Sequence, residues 1–411
     1  MKKSLILLFW ISVIVSSCGN PFKEGVFNAG GSFTRSNDYS NYKKFSINVL
    51  EAKRFDGRSD TSLTAGSQIE PLVVGNNDYY LISADGTISF ISKDILKSTF
   101  MVPDSTPVST RPAADHEQNI YFVSLKPILY SFNNHGEKRW EYKFSDEFDP
   151  FEMFSDVLAT NDGVLIGTTS GKLIKVSFDG KLIFQKQYNT AISRAFAADE
   201  NGNIYFVLTK NTFGDTDNLV KIDKNGKELY NKPIDFVRII RNPVVSGDNV
   251  YLIGFMQNAD KSGSLLICFD KRGFEKWRQE LPVFPRYLSA NEQNAYVIGY
   301  NTGVGETMSG VFSFSRTGKQ NWRIFLSISA TSPLIVGKAK SAVVGTNPNG
   351  AGIFFLDNDN GRLIEDRSLN EIDTFYTVPA VTGDGSIIFA MSARRGIVRL
   401  TDTALNKILP W

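Results

Sequence analysis

Residues that could bind a metal are few in this sequence of 411 residues. Its two histidines, His116 and His135, lie in predicted turns that would project from the same face of one sheet. Two histidines without a third ligand make a poor zinc site, so we interpret both as turn residues. Segment 357–361 has the acidic start of a calcium loop but no acidic residue at its fifth position and no terminal glutamate. We predict a hairpin turn there, and no metal.

The sequence also has none of the common catalytic motifs. It contains no H-E-x-x-H pair, no C-x-x-C, no phosphate-binding loop and no G-x-S-x-G turn. Of its two cysteines, Cys268 lies in the apolar run 265–269 and fits a small buried hydrophobe better than a reactive thiol. We therefore predict a protein that is not an enzyme, with no catalytic residue and no cofactor.

The other cysteine, Cys18, follows a segment typical of export signals. Two lysines precede an apolar run, residues 5–15, which is shorter than the ~20 residues of a membrane-spanning helix. The sequence Val15-Ser16-Ser17-Cys18 resembles the lipobox of bacterial lipoproteins. That resemblance implies removal of residues 1–17 as a signal peptide and lipidation of Cys18 with fatty acids such as palmitate. An ordinary secretory signal with an incidental cysteine is the alternative.

Charge argues against nucleic-acid binding, and the lipobox resemblance implies a place in the cell envelope. The net charge is +2, and loss of Lys2 and Lys3 with the signal peptide brings it close to zero. Nucleic-acid binding calls for a clustered basic surface. Residues 18–42 are rich in Asn, Ser and Gly, which predicts a flexible tether. Gly19 is not the aspartate that retains many lipoproteins at the inner membrane, so we expect the outer membrane, at its periplasmic or its surface face.

The rest of the chain, residues 43–411, repeats one unit. A turn glycine is followed four residues later by an aromatic residue in the pairs Gly136/Trp140, Gly180/Phe184, Gly226/Tyr230, Gly273/Trp277 and Gly318/Trp322. Gly361 keeps the turn but has Glu365 at the ring position. A strand with period two precedes each glycine: Ile174 and Val176, for example, alternate with Lys175 and Ser177. Equivalent positions at 71, 112, 157, 195, 243, 287, 333 and 379 define eight units of roughly 44 residues.

This period predicts an all-β fold, an eight-bladed β-propeller of four-stranded antiparallel blades. A solenoid is the alternative for a repeating β chain, but its coils are usually much shorter. Each blade would bury its two faces against its neighbours, and a closed ring leaves no terminal unit exposed. The strand that closes the ring could come from Phe45, Ile47 and Val49 or from residues 405–409.

The unit resembles the repeat of pyrroloquinoline-quinone-type propellers over residues 67–402, and with the lipobox it most resembles the BamB family of the outer-membrane assembly machinery. The resemblance implies that the rings dock between blades, with conservative replacements at two positions and a real departure at Glu365. The docking residues are Trp140, Phe184, Tyr230, Trp277 and Trp322. It also implies a monomeric, lipid-anchored scaffold within a complex, whose protein partners are outer-membrane assembly components or unfolded barrel proteins.

Two other functions stay open. The same superfamily contains quinone-dependent dehydrogenases, which hold the quinone in the central channel with a bound calcium and an aspartate base. This sequence has no Cys-Cys pair and lacks the insertions that commonly build the cofactor pocket. The other alternative is a surface-exposed lipoprotein that binds host or matrix macromolecules.

The hairpins between the second and third strands predict a partner surface. They lengthen in consecutive units, at residues 210–218, 256–264, 301–310 and 347–352. Loops on a rigid scaffold concentrate function. We predict that the exposed binding residues are Asp215, Asp217, Asp260, Lys261, Glu306 and Met308, with Phe151 of the aromatic connection 148–154 as an anchor. Tolerated insertions without a function are the alternative.

Overall fold

The computed structural model describes residues 26–28, 50–56, 71–144, 152–368 and 379–402, apart from gaps at 76, 83–85, 94, 193–194, 211–215, 236, 259–260, 301–307, 338, 348–349, 383–385 and 392–395. Within these ranges the chain forms strands β1–β36 and one 3₁₀ turn, Pro103–Ser105. None of the described residues lies in a helix long and apolar enough to cross a membrane. The predicted all-β class is confirmed.

The strands form eight antiparallel sheets, numbered here as blades 1 to 8. Blade 1 contains β3 (Leu72–Val73), β4 (Asp78–Ile82), β5 (Thr87–Ser92) and β6 (Ile95–Met101). Blade 2 contains β7 (Ala113–Asp115), β8 (Ile120–Val123), β9 (Ile128–Phe132) and β10 (Lys138–Lys143), with β1 (Val26–Asn28) added. Blade 3 contains β11 (Leu158–Thr160), β12 (Gly163–Gly167), β13 (Lys172–Ser177) and β14 (Leu182–Gln187).

In blades 4, 5 and 7 the first strand is in two pieces. Blade 4 contains β15 (Ala191–Ile192), β16 (Ala197–Ala198), β17 (Ile204–Thr209), β18 (Asn218–Ile222) and β19 (Glu228–Pro233). Blade 5 contains β20 (Val237–Ile239), β21 (Val244–Ser246), β22 (Asn249–Asn258), β23 (Lys261–Asp270) and β24 (Glu275–Leu281). Blade 7 contains β29 (Ser329–Ala330), β30 (Ile335–Val336), β31 (Lys340–Asn347), β32 (Gly350–Asp357) and β33 (Leu363–Ser368).

Blade 6 contains β25 (Phe284–Ala290), β26 (Asn294–Tyr300), β27 (Ser309–Ser315) and β28 (Gln320–Leu326). Blade 8 contains β34 (Ala380–Val381), β35 (Ile387–Met391), β36 (Gly396–Asp402) and, from the other end of the chain, β2 (Leu50–Asp56). The eight predicted four-stranded blades are thus confirmed.

Burial explains the strand patterns. Second strands such as β8 and β12 are buried at every position, because both faces of a blade are covered by neighbouring blades. Fourth strands such as β6 and β14 have alternate residues exposed, since they form the outer rim. Apolar clusters lie between successive blades; Ala113 and Tyr121 of blade 2, for example, pack with Val164 of blade 3. First strands of neighbouring blades contact one another and surround the central axis, as β7 contacts β11 and β21 contacts β25.

The N-terminal end of the propeller closes the ring. Strand β2 pairs with β36 along its whole length, from Leu50 opposite Asp402 to Asp56 opposite Gly396. Blade 8 then packs on blade 1, where Tyr79 and Leu81 meet Ile388. Of the two predicted sources of the closing strand, the N-terminal one is therefore confirmed, and its described part begins at Leu50, directly after the predicted residues. Residues 43–49 and 405–409 lie outside the described residues.

A short strand from the predicted tether lies at the axis. Strand β1 pairs antiparallel with β7, with Val26 opposite Asp115 and Asn28 opposite Ala113, and it contacts β3 and β11 of the two adjacent blades. These three residues form a strand rather than a tether, because the inner edge of blade 2 offers them backbone partners. The rest of the range 18–42, and Cys18 itself, lies outside the described residues, so the tether and the lipidation stay predictions.

Blade docking and the candidate partner-binding face

Each docking ring lies on the turn glycine of the next blade. A Cβ atom added to Gly180 of blade 3 would lie 2.9 Å from Cγ of Trp140 in blade 2, and this glycine has a φ of +82°. Only glycine meets both conditions without strain. The same contact recurs in the pairs Phe100/Gly136, Phe184/Gly226, Tyr230/Gly273, Trp277/Gly318 and Trp322/Gly361. The repeated glycine and ring are therefore two halves of one contact between blades.

The tryptophans add a hydrogen bond to this contact. Their indole N–H groups donate to backbone carbonyl oxygens of the next blade, at 2.8 Å for Trp140 to Phe178, 3.0 Å for Trp277 to Arg316 and 2.8 Å for Trp322 to Asn358. Phe184 has no donor. The hydroxyl of Tyr230 is buried without a hydrogen-bond partner in the described part of the chain, and burial raises its pKa.

The propeller has two different faces. Strands alternate in direction within a blade, so the turns between strands one and two and between strands three and four lie on one face, called here the turn face. The hairpins between strands two and three and the connections between blades lie on the other, the loop face. The residues predicted to bind a partner belong to segments of the loop face.

Asp217 is not exposed, and its prediction as a surface residue is wrong. Its exposed fraction is 1%, because it lies at the base of its hairpin, directly before β18. Its Oδ1 accepts a hydrogen bond from the backbone N–H of Lys210 at 3.2 Å, and its Oδ2 accepts one from Ile239 at 2.6 Å. Burial raises its pKa despite these bonds. Asp217 thus joins the hairpin of blade 4 to the first strand of blade 5.

The structure describes only two of the other predicted binding residues, Met308 and Lys261. Met308 is half-buried, just before β27. Lys261 begins β23 opposite Asn258, so segment 256–264 is mainly an extension of two paired strands and not an irregular loop. Segment 347–352 is likewise mostly paired, with Asn347 opposite Gly350. Phe151, Asp215, Asp260 and Glu306 lie outside the described residues.

Exposed apolar side chains on the loop face were missed by sequence reasoning. They are Leu125 in the hairpin of blade 2, 57% exposed, Met153 in the connection to blade 3, 51% exposed, and Phe284 at the start of β25, 47% exposed. Large exposed apolar groups can mark interaction sites; the turn face also has two of them, Ile95 and Phe274, each 58% exposed. The one available signal was the aromatic connection 148–154, which contains Met153.

The residues considered for metal or thiol chemistry lie in turns or in the core. His116 and His135 are exposed in turns of blade 2, and no group of three His, Cys, Asp or Glu side chains in the described ranges could hold a metal. Segment 357–361 forms the predicted hairpin turn, in which Asp357 accepts a hydrogen bond from the N–H of Asp359 at 2.9 Å. Cys268 is fully buried, and burial raises its pKa to about 12.

Comparison with solved structures gives the same fold. BamB from Moraxella catarrhalis superimposes with a TM-score of 0.60 at 16% identity, over 87% of this chain and 98% of that one. This chain has a BamB-like β-propeller fold. The Dos1 propeller matches with a TM-score of 0.60 at 10% identity, over 86% of this chain and 95% of that one. The C-terminal WD40 domain of Sif2 matches with 0.56 at 9% identity, over 87% and 99%. The sequence matches no family model and no curated protein.

Proposed function

We propose that this chain is a non-enzymatic, lipid-anchored scaffold of the bacterial outer membrane that binds protein partners and, like BamB, assists the assembly of outer-membrane proteins. The observation that carries the proposal is the combination of a closed, BamB-like propeller with the lipobox at Cys18. A closed ring of eight blades is rigid, and its loop face presents exposed apolar groups to a partner.

Strand β1 supports an orientation at the membrane. Val26 pairs with Asp115, the last residue of β7, which lies next to the turn face, whereas Asn28 is nearer the loop face. The chain therefore enters β1 at the end of the strand that is nearer the turn face. The eight residue-to-residue steps from Cys18 to Val26 span at most about 29 Å. A lipid on Cys18 would hold the turn face towards the membrane and leave the loop face to partners.

The position of β1 also opposes the dehydrogenase alternative. By the family resemblance, those enzymes hold their quinone in the central channel. Here β1 lies along the inner edge of blade 2 and contacts the first strands of blades 1 and 3, so protein backbone occupies part of that space. The residues present do not fit a quinone at this place.

The test is affinity purification of the full-length protein from crosslinked cells, followed by mass spectrometry. The proposal predicts capture of barrel-assembly components by the wild type, loss of capture in a Leu125→Glu/Met153→Glu variant of the loop face, and retention in Leu229→Glu. Leu229 is a matched control because it is 47% exposed on an outer strand. Equal capture by all three proteins, or capture of no assembly component, would contradict the proposal.

Two further measurements separate the alternatives. Incorporation of radiolabelled palmitate by the wild type and not by Cys18→Ala tests the anchor. Protease treatment of intact cells tests the face of the membrane: degradation favours the surface-exposed lipoprotein that binds host macromolecules, and protection favours the assembly scaffold.

A further inference from the structure

Large apolar side chains are exposed where the outer strands of three consecutive blades begin. In blade 3, Leu182 and Ile183 begin β14 and are 49% and 39% exposed. In blade 4, Leu229 is the second residue of β19 and is 47% exposed. In blade 5, Phe274 directly precedes β24 and is 58% exposed. Because every fourth strand begins at a turn of the turn face, all four residues lie at that end of the outer rim. They are called here the apolar patch.

Ile183 and Leu229 occupy a β-bulge that recurs in the outer strands. The register of β14 shifts at Ile183 and that of β19 shifts at Leu229, so neither residue has a cross-strand partner. The equivalent bulge residues of blades 2, 5 and 6 are polar, and each donates a hydrogen bond to a side chain of its own blade. These pairs are Arg139 to Tyr121, Lys276 to Asn249 and Asn321 to Asn294. In those three blades the bulge residue therefore stabilises the fold.

In blades 3 and 4 a lysine of the third strand takes over this internal role. The ammonium group of Lys221 lies 3.8 Å from Asp199, as the guanidinium group of Arg139 lies 3.8 Å from the equivalent Asp115 in blade 2. In blade 3, Lys175 occupies the same position and is fully buried. The blades with a polar bulge residue have small side chains at this position: Ser131, Cys268 and Ser313. The blade itself therefore does not require the apolar residues at the bulges of blades 3 and 4.

Phe274 lies at the boundary between blades 4 and 5. The centre of its ring is 3.8 Å from Nζ of Lys232, on β19 of blade 4, and 5.6 Å from the guanidinium carbon of Arg272 in its own turn. Such cation–π contacts hold the ring in place and leave its outer surface exposed. Phe274 thus belongs to the rim of both blades.

Basic side chains surround the apolar patch. Lys181 and Lys227 directly follow the turn glycines of blades 3 and 4, and both are exposed. The segments that carry the patch, residues 179–186, 223–232 and 270–276, contain eight Lys or Arg and five Asp or Glu, a net charge of +3. Surfaces that bind membranes combine apolar groups with lysines, since the apolar groups enter the interface and the ammonium groups reach anionic headgroups.

We propose that the apolar patch rests on the surface of an anionic phospholipid bilayer, with the surrounding lysines among the headgroups. The inference rests on the proposed function, in which a lipid on Cys18 anchors the protein. The chain enters β1 at the end nearer the turn face, and Cys18 lies at most about 29 Å from Val26. The anchor thus keeps the turn face within reach of the bilayer. The patch then selects which part of the rim touches it, namely blades 3 to 5, and leaves the loop face to partners.

Flotation of the lipid-free mature protein with vesicles tests the patch without the anchor. The protein is residues 18–411 with Cys18→Ala, and vesicles of phosphatidylglycerol are compared with vesicles of phosphatidylcholine. The test variant is Leu229→Ser/Phe274→Ser, whose residues are 47% and 58% exposed. The matched control is Leu125→Ser/Phe284→Ser on the loop face, because these are the same two residue types at 57% and 47% exposure.

The test variant should bind phosphatidylglycerol vesicles roughly tenfold more weakly than the wild type, because it loses apolar surface that enters the interface. The matched control should bind as the wild type does. Lys181→Gln/Lys227→Gln should weaken binding to phosphatidylglycerol and not to phosphatidylcholine, and added salt should have the same effect. If Phe274→Ser lowers the melting temperature because Lys232 loses its ring, Leu229→Ser alone should still weaken binding, by roughly threefold.

Fluorescence quenching of the lipidated protein tests its orientation. A fluorophore is attached at Asn225→Cys or at Asp235→Cys, which are exposed positions just before and just after β19. Cys268 is fully buried and so should not be labelled. In phosphatidylglycerol vesicles that contain a nitroxide-labelled lipid, the probe at Asn225→Cys should be quenched and the probe at Asp235→Cys should not. Adding Leu229→Ser/Phe274→Ser should remove most of this difference.

Several results would overturn the inference. They are no binding of the lipid-free wild type to phosphatidylglycerol vesicles, an equal loss of binding in the test variant and the matched control, and equal quenching at the two probe positions. A dimer in analytical ultracentrifugation that the test variant dissociates would show that a second copy covers the patch. Loss of barrel-assembly capture in the test variant would show that a protein covers it.

The membrane contact and the scaffold function fail separately. If the wild type captures barrel-assembly components from crosslinked cells but the lipid-free protein does not float with vesicles, the membrane contact is wrong and the scaffold function stands. If the lipid-free protein floats as described but the wild type captures no assembly component, the scaffold function is wrong and the membrane contact stands.

Discussion

The indole N–H of Trp322 donates a hydrogen bond to the backbone oxygen of Asn358, 2.8 Å away across the boundary between blades 6 and 7. The same ring covers Gly361, where an added Cβ would overlap its Cε3 atom. One side chain thus fills the gap between two sheets and satisfies a carbonyl group at the turn of the second. This contact recurs around the ring, so it governs how strongly neighbouring blades hold together.

Replacing Trp322 should lower the free energy of unfolding in two separable steps. Trp322→Phe keeps most of the apolar contact and loses the hydrogen bond, at a cost of about 1 kcal/mol. Trp322→Ala also leaves a cavity between blades and should cost about 3–5 kcal/mol. Urea unfolding followed by fluorescence measures both. Leu229→Ala, on the exposed rim, should stay within about 0.5 kcal/mol of the wild type; an equal loss there would show that the ring has no special role.

Gly361→Ala should be more damaging than Gly247→Ala. Both glycines have positive φ angles, +74° and +53°, so both substitutions carry backbone strain of about 1–2 kcal/mol. Only at Gly361 does the new methyl group also meet the Trp322 ring, since nothing lies within 4 Å at Gly247. The difference between their urea midpoints isolates the blade contact. Equal midpoints would mean that the ring moves aside without cost.

Because β2 closes the ring, proline should destabilise the protein strongly at one of two adjacent positions of this strand and less at the other. Adjacent residues of an antiparallel strand direct their N–H groups to opposite sides, so one of Lys53 and Arg54 donates to β36 and the other points away from it. One of the variants Lys53→Pro and Arg54→Pro should therefore cost about 3 kcal/mol or more, and the other clearly less. The Ala variants are the controls. Two harmless prolines would show that β2 does not close the ring.

We expect the Cys268 thiol to be unreactive in the native state and the protein to lose stability at alkaline pH. Its thiol is fully buried, so a thiol reagent should label it only after unfolding in urea. Burial raises its pKa to about 12, whereas an unfolded thiol ionises near about 8.5. Between these values the unfolded chain has lost the proton and the native chain has kept it, so the free energy of unfolding falls as pH rises. Cys268→Ala should decline less steeply, and rapid labelling of the native protein would contradict the burial.

The blade architecture was predictable because its signals are local. A turn glycine, a ring four residues later and a strand with period two are set by turn geometry and by the pleat. They placed Trp140 and Gly180 correctly within their blades. The closing strand was not predictable, because both chain ends carry alternating residues and only the pairing of Leu50 with Asp402 decides between them.

Positions between blades were harder to predict, because a blade is buried on both faces. Lys175 alternates with Ile174 and Val176 and so reads as the polar side of a strand, yet it has no exposed surface. Its ammonium group lies 2.6 Å from Asp162 and donates to the backbone oxygen of Lys224 in blade 4 at 2.9 Å. The alternating pattern therefore shows on which face of the sheet a residue lies. Whether that face is exposed to water depends on the neighbouring blade.

Asp217 is another polar residue whose burial the sequence pattern does not show. Its hydrogen bonds lead to a prediction for which Asp223 is the matched control. Each of its two oxygens accepts one backbone N–H, whereas in Asp223 a single oxygen, Oδ1, accepts both N–H groups, from Asn225 and Lys227. Asn keeps one carbonyl oxygen. Asp217→Asn should therefore lose one buried hydrogen bond, about 1–3 kcal/mol, and Asp223→Asn should be nearly neutral. Equal effects in urea unfolding would mean that Asp217 does not join the hairpin to the next blade.

The cost of Asp217→Asn should also depend on pH. Burial raises the pKa of Asp217 above that of an unfolded aspartate, about 3.9, so the native protein binds the proton more tightly. The contribution of this group to the free energy of unfolding is therefore fully present below the unfolded pKa and is lost as pH rises through the folded pKa. Asn has no such contribution. The deficit of the variant should be larger in acid than at neutral pH, and a deficit that grows towards neutral pH would show that the hydrogen bonds from Lys210 and Ile239 outweigh the burial.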